Sequence, residues 1–517
     1  MRTALGETMS EAIVSGARGR SHAALAERAA RAATGLERLG VRAGDAVALL
    51  LRNDLAFLEA SVAAGLLGAY PVPINWHLAA DEVAYILADC GARVLVAHAD
   101  LLAAVEGRVP EGMAVRVAPV PEEIQAAYGL SAAACALPRG AEDWDAWLEA
   151  QPPRPPAAVE APSAMIYTGG TTGRPKGVRR AQPSAEQGAA MTQVLTAIFD
   201  LRPGMRTVIA GPLYHSAPYA YAIAALKLGA HLVLQPRFDA EGLLALIEQH
   251  RITHFYAVPT MFVRLLRLPE AVRRRHDLSS LRWVIHAAAP CPPEVKRAMI
   301  QWWGPVIHEF YGSTEMSAMT VCDSSEAMAR PGTVGRLLPG AVAHILDEEG
   351  RALPPGAVGE LHGRQPAITD FTYHGLDDKR RDIERDGLVT VGDLGYFDAD
   401  GYLFLCDRRI DMIISGGVNI YPAEIEAALI AMPGVADCAV FGIPDAEFGE
   451  AVAAAVEPLP GARFGPEDVR RFLRERIAGY KVPRTVELRE RLPRLESGKL
   501  LKRRLREPYW AEAGRAI

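Results

Sequence analysis

The chain has 517 residues, half of them apolar, and a formal net charge of −6. This length exceeds what one hydrophobic core usually serves, so we expect two or more domains. The acidic balance, with no basic block before the extreme C terminus, argues against a nucleic-acid partner. The short basic run at residues 502–504 is interpreted as a solvated helix face.

The cysteines and the N terminus indicate where the protein works. Six scattered cysteines without a Cys-x-x-Cys pair favour a reducing compartment over a disulfide framework or a zinc site. The first residues lack the apolar core of a signal peptide. The longest uncharged run, residues 60–76, contains two prolines and is too short to span a bilayer. We therefore expect a soluble, cytoplasmic protein without a transmembrane segment.

The first hundred residues alternate between helical and strand patterns. Apolar positions at helical spacing predict helices at residues 20–40, 55–67 and 80–90. Strands or buried apolar runs are predicted at residues 46–51, 70–74 and 93–97. This alternation is typical of parallel sheets with crossover helices, so the predicted fold class is α/β.

The pattern continues in the middle of the chain after an interruption. Residues 103–160 are rich in alanine, proline and glutamate with weak periodicity, and no element is predicted there. A helix is predicted at residues 240–250. Strands are predicted at residues 207–210, 231–234, 254–258, 283–287 and 306–310.

A stretch rich in glycine and threonine, residues 167–178, follows the proline-rich run 151–156. Glycine lets backbone amides approach a ligand closely, and amides with interleaved hydroxyls form an anion nest suited to a polyphosphate. The stretch is not a Walker A loop, because Pro175 precedes Lys176 and glycine follows it. A surface turn is the plain alternative. A lysine here, in a chain with seven lysines and 49 arginines, favours the phosphate site.

This stretch resembles the signature of the adenylate-forming (ANL) superfamily, which includes acyl-CoA synthetases, firefly luciferases and the adenylation domains of peptide synthetases. Gly169 stands where that signature commonly has serine, but the backbone amide remains and we expect the nest to persist. The resemblance implies that the loop binds ATP and that Thr168 is also catalytic. The implied ATP-binding residues are Thr168, Gly169, Gly170, Thr171, Thr172, Gly173 and Lys176.

A second motif runs from Tyr311 to Glu315 after a predicted strand. Tyrosine offers an aromatic face to a purine, and glutamate offers the hard oxygen ligand that magnesium prefers. The resemblance implies that Tyr311 packs on adenine and that Glu315 binds Mg²⁺ as a catalytic residue. The other adenosine-side residues that it implies are Gly312, Ser313, Thr314, Ala288, Ala289 and Pro290. Relatives often have glycine where this chain has the two alanines.

The resemblance also implies two ribose contacts. Asp393 matches an aspartate that bonds the ribose hydroxyls in the superfamily, although Val391 replaces a threonine that is usual two residues earlier. Arg408 matches an arginine that contacts the ribose, with Asp407 where glycine is usual. The change at Val391 removes a secondary contact and leaves Asp393 in place.

The segment around Asp411 is the natural domain boundary, and by resemblance Asp411 is a hinge. Gly416 and Gly417 would present a face to coenzyme A. Beyond the boundary, a helix at residues 422–432 and strands at residues 435–442 and 451–456 indicate a small α+β domain. The predicted organisation is a large N-terminal domain with mixed or parallel sheets flanked by helices (1–407), a hinge (408–411) and a mobile C-terminal domain (412–517).

Two further residues complete the predicted site. Lys499 follows Ser497-Gly498 and resembles the mobile catalytic lysine of the superfamily, which also contacts ATP. His215 follows an apolar strand, where a pocket commonly opens in an α/β sheet, and by resemblance it borders the acyl pocket. No aspartate follows it at residues 216–219, so an α-amino acid substrate is not expected.

The resemblance implies an acyl-CoA synthetase that uses ATP, Mg²⁺ and coenzyme A and releases AMP and pyrophosphate. Small or apolar residues at 215–223 and 283–289 suit a hydrophobic acid: a medium- or long-chain fatty acid, or a bulky alicyclic or steroid-like acid. The alternatives are a ligase that passes the acyl group to a carrier protein, a luciferase-like oxygenase, and an inactive nucleotide-binding protein. The last would be expected to lack Lys499 or Glu315. A homodimer is compatible with the sequence, which does not decide the oligomeric state.

Overall fold

The computed structural model describes residues 12–155, 159–168, 175–408, 411–415, 418–445, 448–494 and 500–512, the side chains of Arg408 and Glu512 excepted. The helices in these ranges are α1 (His22–Arg38), α2 (Leu55–Leu66), α3 (Ala80–Asp89), α4 (Ala99–Ala104), α5 (Glu122–Tyr128), α6 (Trp144–Glu149), α7 (Ala185–Phe199), α8 (Ser216–Leu228), α9 (Ala240–His250), α10 (Pro259–Leu266), α11 (Glu270–Arg273), α12 (Pro293–Trp303), α13 (Ser324–Ala329), α14 (Asp377–Arg381), α15 (Pro422–Ile430), α16 (Pro466–Arg474) and α17 (Lys502–Glu512).

The strands in the same ranges are β1 (Ile13–Ser15), β2 (Arg18–Arg20), β3 (Ala46–Leu50), β4 (Tyr70–Pro73), β5 (Val94–His98), β6 (Ala114–Ala118), β7 (Ile166–Thr168), β8 (Lys176–Arg180), β9 (Arg206–Ile209), β10 (His231–Leu234), β11 (His254–Ala257), β12 (Trp283–His286), β13 (Ile307–Ser313), β14 (Ser317–Cys322), β15 (Thr333–Leu337), β16 (Val342–Leu346), β17 (Gly359–Arg364), β18 (Phe371–Tyr373), β19 (Glu384–Arg385), β20 (Leu388–Val389), β21 (Asp393–Phe397), β22 (Tyr402–Arg408), β23 (Ile413–Ser415), β24 (Val418–Ile420), β25 (Val435–Asp445), β26 (Gly449–Pro458) and β27 (Thr485–Leu488).

One compact unit comprises the chain up to Ala257 together with Arg267–Ile285 and Gln365–Glu384. It holds a parallel sheet in the order β4-β3-β5-β6. A second set of strands in the order β1-β10-β9-β11 is also parallel, with β2 antiparallel to β1. A third, antiparallel sheet has the order β18-β8-β7. Helices alternate with the strands of the first two sets, which confirms the predicted α/β class.

The other compact unit comprises Val258–Leu266, His286–Arg364 and the chain from Arg385 onward. Antiparallel strands in the order β13-β14-β15-β22-β21-β17-β20 form most of it, and β16 pairs with β17. A separate five-stranded sheet contains β23 to β27. The division at residues 408–411 stays a prediction.

The N-terminal helices form as their sequences predict. Helix α1 begins after Ser21, whose hydroxyl accepts a hydrogen bond from the Ala24 amide over 3.0 Å. Its buried face includes Leu25 and Leu36. Every residue of β3 and β5 is buried, because a parallel strand with helices on both faces has no solvent side.

The described part of residues 103–160, a stretch for which the sequence predicts no element, is packed into the first unit. Strand β6 pairs with β5, and the indole of Trp144 on α6 is 1% exposed. Its Nε1 donates to Glu59 Oε2 over 3.0 Å, and Glu59 also accepts from Arg28 Nε over 2.5 Å. The elements here are five to seven residues long, too short for a periodic pattern to show.

The basic run at residues 502–504 is only partly solvated, so its interpretation as a solvated face is wrong for Lys502. Arg503 and Arg504 are exposed, but the Lys502 side chain is 14% exposed and lies 3.0 Å from Glu426 Oε1. Burial disfavours its charge, yet the carboxylates of Glu426, Asp407 and Asp411 raise the pKa of its ammonium above the usual value. No helix in the described ranges is long and apolar enough to cross a membrane.

Candidate nucleotide and acyl site

The predicted phosphate loop joins β7 to β8. The two strands are antiparallel, and their register pairs Tyr167 with Gly177 and Thr168 with Lys176. Thr168 and Lys176 therefore face each other at the loop end of the hairpin, on either side of the loop. Lys176 Nζ also lies 4.9 Å from the ring centroid of Tyr373 on β18. The predicted loop residues Gly169, Gly170, Thr171, Thr172 and Gly173 lie outside the described residues.

His215, the predicted acyl-pocket residue, immediately precedes α8 in the same unit. Its backbone amide donates to Pro212 O over 3.2 Å, and its ring lies 4.5 Å from that of Tyr214. The Trp76 ring in turn approaches Tyr214 edge-on at 6.3 Å. His215 therefore extends a group of aromatic rings, and the helix that follows it buries Tyr219 and Tyr221.

Asn53 is a structural support of this segment that the sequence analysis missed. Its side chain is 5% exposed, with Nδ2 donating to Gly211 O over 3.0 Å and Oδ1 accepting from the Leu213 amide over 3.0 Å. It thus fixes the backbone that leads into Tyr214 and His215. The available signal was a polar run, residues 52–54, directly after a buried strand, where ligand-facing residues of α/β sheets commonly lie.

In the second unit the structure joins two of the predicted nucleotide contacts. The Tyr311 hydroxyl donates to Asp393 Oδ2 over 2.6 Å, and Asp393 is 9% exposed. Asp393 is the first residue of β21, and it faces Arg408 in the backbone register of β21 with β22. A short charge-assisted hydrogen bond therefore orients the carboxylate beside the predicted ribose-binding arginine. The Arg408 side chain lies outside what is described.

The Tyr311–Glu315 motif continues a strand and then turns. Strand β13 runs to Ser313, with a bulge between Tyr311 and Gly312, so it extends beyond the predicted end at residue 310. A Cβ at Gly312 would stand 2.1 Å from Ser317 O, which excludes any other residue there. Ser313 Oγ accepts from the Met316 amide over 2.9 Å. Glu315 and Thr314 lie in the turn that this bond closes.

The predicted adenine-side segment 288–290 follows β12. Ala288 has φ +75°, a conformation that L residues rarely adopt and that explains why glycine suits the position. Ala288 and Pro290 are exposed, so a ligand can reach them. Nearby, His286 is fully buried, and burial, with the charge of Lys296 adding to it, holds the pKa of its imidazole well below the usual value. Lys296 itself forms a buried ion pair with Glu309 on β13.

The remaining predicted residues lie in the C-terminal part of the chain. Asp411, the predicted hinge, is partly exposed, whereas Gly416, Gly417 and Lys499 lie outside the described residues. Their roles, like those of the other site residues, stay predictions. The described residues that flank the lysine are held by ion pairs, Arg494 to Asp437 and Lys502 to Glu426.

The chain by itself does not form a complete metal site in the part that is described. There, no group of three or more His, Cys, Asp or Glu side chains could hold a metal ion. Glu315 is one carboxylate in a turn, so it fits Mg²⁺ only if phosphate oxygens of ATP supply other ligands. Such sharing is usual for Mg²⁺, which is commonly bound by one or two carboxylates plus substrate phosphates.

Comparison with protein families decides the family. The sequence model of the AMP-binding enzyme family matches residues 2–371, and that of the AMP-binding enzyme C-terminal domain matches residues 424–499. The chain belongs to the AMP-binding enzyme family. This confirms the resemblance to the adenylate-forming superfamily, and it identifies the protein as an enzyme of the AMP-forming acid–CoA ligase type.

Individual relatives of this AMP-binding enzyme match over nearly the whole chain. A feruloyl-CoA synthase of Amycolatopsis sp. is 35% identical over 498 residues, covering 95% of this chain and 94% of the relative. The fatty acid–[acyl-carrier-protein] ligase ScoC of Streptomyces coeruleorubidus is 34% identical over 494 residues, covering 94% and 91%. The ATP-bound crystal structure of MatB from Rhodopseudomonas palustris matches with a TM-score of 0.81 and 29% identity, covering 97% and 96%.

Proposed function

We propose that this AMP-binding enzyme activates a hydrophobic carboxylic acid with ATP and transfers the acyl group to coenzyme A. The observation that carries the proposal is the hydrogen bond from Tyr311 to Asp393, because it joins an aromatic face for a purine to a carboxylate for ribose hydroxyls. A tyrosine and an aspartate whose hydroxyl and carboxylate oxygens are 2.6 Å apart suit an adenosine moiety. The MatB structure, which has a similar fold, also has ATP bound.

The first half-reaction makes the carboxylate reactive. A carboxylate oxygen attacks the α-phosphorus of ATP, the bond to the β-phosphate oxygen breaks, and pyrophosphate leaves with that electron pair. Residues 169–173 with Thr168 and Lys176 would hold the β- and γ-phosphates, and Lys499 would bridge the carboxylate and the α-phosphate. Mg²⁺ held by Glu315 and the phosphates would supply charge neutralisation when bound. No protein nucleophile is needed.

The second half-reaction forms the thioester. The coenzyme A thiol loses its proton to solvent, its sulfur attacks the acyl carbon, and AMP leaves with the electrons of the acyl–phosphate bond. At this stage Lys499 is no longer needed, but the pantetheine arm of coenzyme A needs a path to the acyl carbon. We therefore propose that residues 412–517 rotate about Asp411 between the two steps, which exchanges Lys499 for the Gly416–Gly417 face.

The acid is proposed to be hydrophobic. Helix α8, which begins directly after His215, is mostly apolar up to Lys227 in its last turn and buries Tyr219, Tyr221 and Ala222. No acidic residue occurs in its first turn to pair with a substrate amine. A medium- or long-chain fatty acid or a bulky alicyclic acid suits such a surface, and an aromatic acid fits the rings of Trp76 and Tyr214. We place the reaction in the cytoplasm.

A carrier protein is the second candidate for the acyl acceptor. The observation that favours it is the fatty acid–[acyl-carrier-protein] ligase among the relatives, which is nearly as similar to this chain as the feruloyl-CoA synthase. Adenylation is common to both routes, so the ATP-side residues do not distinguish them. The two candidates differ only in which thiol receives the acyl group.

The test is an acid panel followed by mass spectrometry. The enzyme is incubated with ATP, Mg²⁺, coenzyme A and fatty, alicyclic and aromatic acids, with control reactions that lack ATP or coenzyme A. We expect an acyl-CoA from at least one hydrophobic acid, one AMP per thioester, and only adenylate without coenzyme A. AMP and thioester formation only with a phosphopantetheinylated carrier protein would assign the second acceptor. Absence of adenylate with every acid would contradict the proposed function.

A further inference from the structure

The hairpin that bears the predicted phosphate loop is attached to the parallel sheet β4-β3-β5-β6 and its helix α3. The Met165 amide, just before β7, donates to Pro71 O over 3.0 Å. The Tyr70 hydroxyl donates to Arg180 O, at the end of β8, over 2.7 Å. Both contacts lie at the end of the hairpin that is remote from the loop, so neither holds the loop end in place.

One contact with α3 does reach the loop end. The Tyr167 hydroxyl donates to Asp89 Oδ2 on α3 over 2.5 Å, and Tyr167 directly precedes Thr168. The Tyr167 ring covers Gly177, where an added Cβ would stand 3.0 Å from the tyrosine Cζ. Tyr167 and Gly177 face each other across the two strands, directly beside the pair Thr168–Lys176 that borders the loop. The Tyr167 side chain therefore packs against the opposite strand next to the loop. Burial, with the hydrogen bond to Asp89 adding to it, raises the pKa of Tyr167, so the phenol stays a donor.

Asp89 is poorly placed to stabilise its own helix. It is the last residue of α3, where the helix dipole disfavours a negative charge. Among the described residues, its other oxygen accepts a long bond, 3.4 Å, from the Tyr85 hydroxyl one turn earlier. The principal bond of this carboxylate is therefore the one to Tyr167, which is a charge-assisted hydrogen bond of the strong kind.

We propose that Tyr167 and Asp89 are positioning residues that hold Thr168 and Lys176 in the geometry that the ATP phosphates require. The inference rests on the proposed function and deepens it, since it assigns the support of the phosphate-binding hairpin to a residue 79 positions before Thr168. Tyr167 and Asp89 act through their neighbours and contact no reacting atom. The bond would matter for adenylation, where the β- and γ-phosphates are bound, and not for thioester formation, after pyrophosphate has left.

The experiment compares Tyr167→Phe with Tyr85→Phe in both half-reactions. Tyr167→Phe keeps the ring over Gly177 and removes only the hydroxyl, so we expect kcat/KM for ATP in adenylation to fall roughly tenfold. Thioester formation from supplied acyl-adenylate and coenzyme A should stay within twofold of wild type. Tyr85→Phe removes the longer bond to the same carboxylate and should leave both half-reactions unchanged. Asp89→Ala should reproduce Tyr167→Phe, and the double variant should be no worse than either single variant.

Two outcomes would overturn the inference. One is an unchanged kcat/KM for ATP in Tyr167→Phe. The other is an equal loss in both half-reactions with a lowered melting temperature, which would mean a general role in folding. Failure of the proposed function is distinguishable, because the wild-type enzyme would then form no adenylate with any acid. Rescue by Asp89→Glu of the Asp89→Ala defect in adenylation alone would further support positioning.

Discussion

Tyr311 has two roles at once in the proposed site. Its ring offers a face to adenine, while its hydroxyl, 2.6 Å from Asp393 Oδ2, orients the carboxylate proposed to bind ribose. Asp393 is 9% exposed, so a hydrogen bond to it is poorly replaced by water. The geometry separates these roles, because removing the hydroxyl leaves the ring in place.

We predict that Tyr311→Phe raises KM for ATP roughly tenfold or more, the loss expected for one hydrogen bond to a charged group. kcat should change less, because the ribose hydroxyls take no part in the bonds that form and break at the α-phosphorus. The matched control is Tyr402→Phe, which removes a 3.0 Å bond from another strand tyrosine to Glu326. Steady-state adenylation kinetics measure both. An unchanged KM for ATP in Tyr311→Phe would contradict the proposed role of the Tyr311–Asp393 pair.

The residue-level motifs were readable because phosphate and adenosine contacts require particular residue types within a few positions. The Tyr311–Glu315 motif and the loop at residues 167–178 are of this kind. Asn53 and Asp89 were missed as supports of the site. Each acts on backbone or side chains far along the chain, Asn53 on Leu213 and Asp89 on Tyr167, and only folding brings them together.

At the scale of elements, periodicity predicted long helices and buried strands well. The helix predicted at residues 240–250 is α9, and the strand predicted at residues 231–234 is β10, with the same bounds. The strand predicted to end at residue 310 continues to Ser313, because a bulge lets the motif stay paired with β14. The short elements within residues 103–160 were missed. They are stabilised by tertiary packing around Trp144, which a local sequence pattern does not reveal.

Two of these elements carry a pH-sensitive contact. His231 on β10 and His250 on α9 have stacked rings 5.3 Å apart, with His231 Nε2 3.2 Å from His250 Nδ1. Burial, followed by the charges of Arg206, His250 and His22, lowers the pKa of His231 from 6.5 to about 4. Between these values the unfolded chain binds a proton that the folded chain does not. The contribution to stability is therefore complete above about pH 6.5 and is lost as the pH falls towards 4.

We predict that the melting temperature falls between pH 7 and pH 5 and that His231→Gln reduces this fall, because the variant has lost the titrating group. His344→Gln, at an exposed position on β16, is the control and should behave as wild type. Differential scanning calorimetry at several pH values measures the effect. An identical pH dependence in His231→Gln and wild type would show that this contact does not contribute.

At the scale of the whole molecule, the α/β class and the family were predictable because the motifs occur in the expected order along nearly the entire chain. The acid and the acceptor thiol were not, since pocket shape and thiol access depend on packing that no short motif encodes. The burial of Lys502 was also missed. Its partner Glu426 lies on α15, and the strands β25 to β27 separate the two residues in the sequence. Charge runs alone do not reveal such pairs.

The central claim is that an acyl-adenylate forms with the help of Lys499. The most direct measurement is acid-dependent ATP–pyrophosphate exchange by wild type, Lys499→Ala and Lys379→Ala, the last at an exposed lysine on α14. We predict exchange by wild type and Lys379→Ala, and a loss of roughly a thousandfold or more in Lys499→Ala, as for removal of preorganised charge at a transition state. Lys499→Ala should still convert supplied acyl-adenylate to thioester. Near-normal exchange by Lys499→Ala would contradict the account.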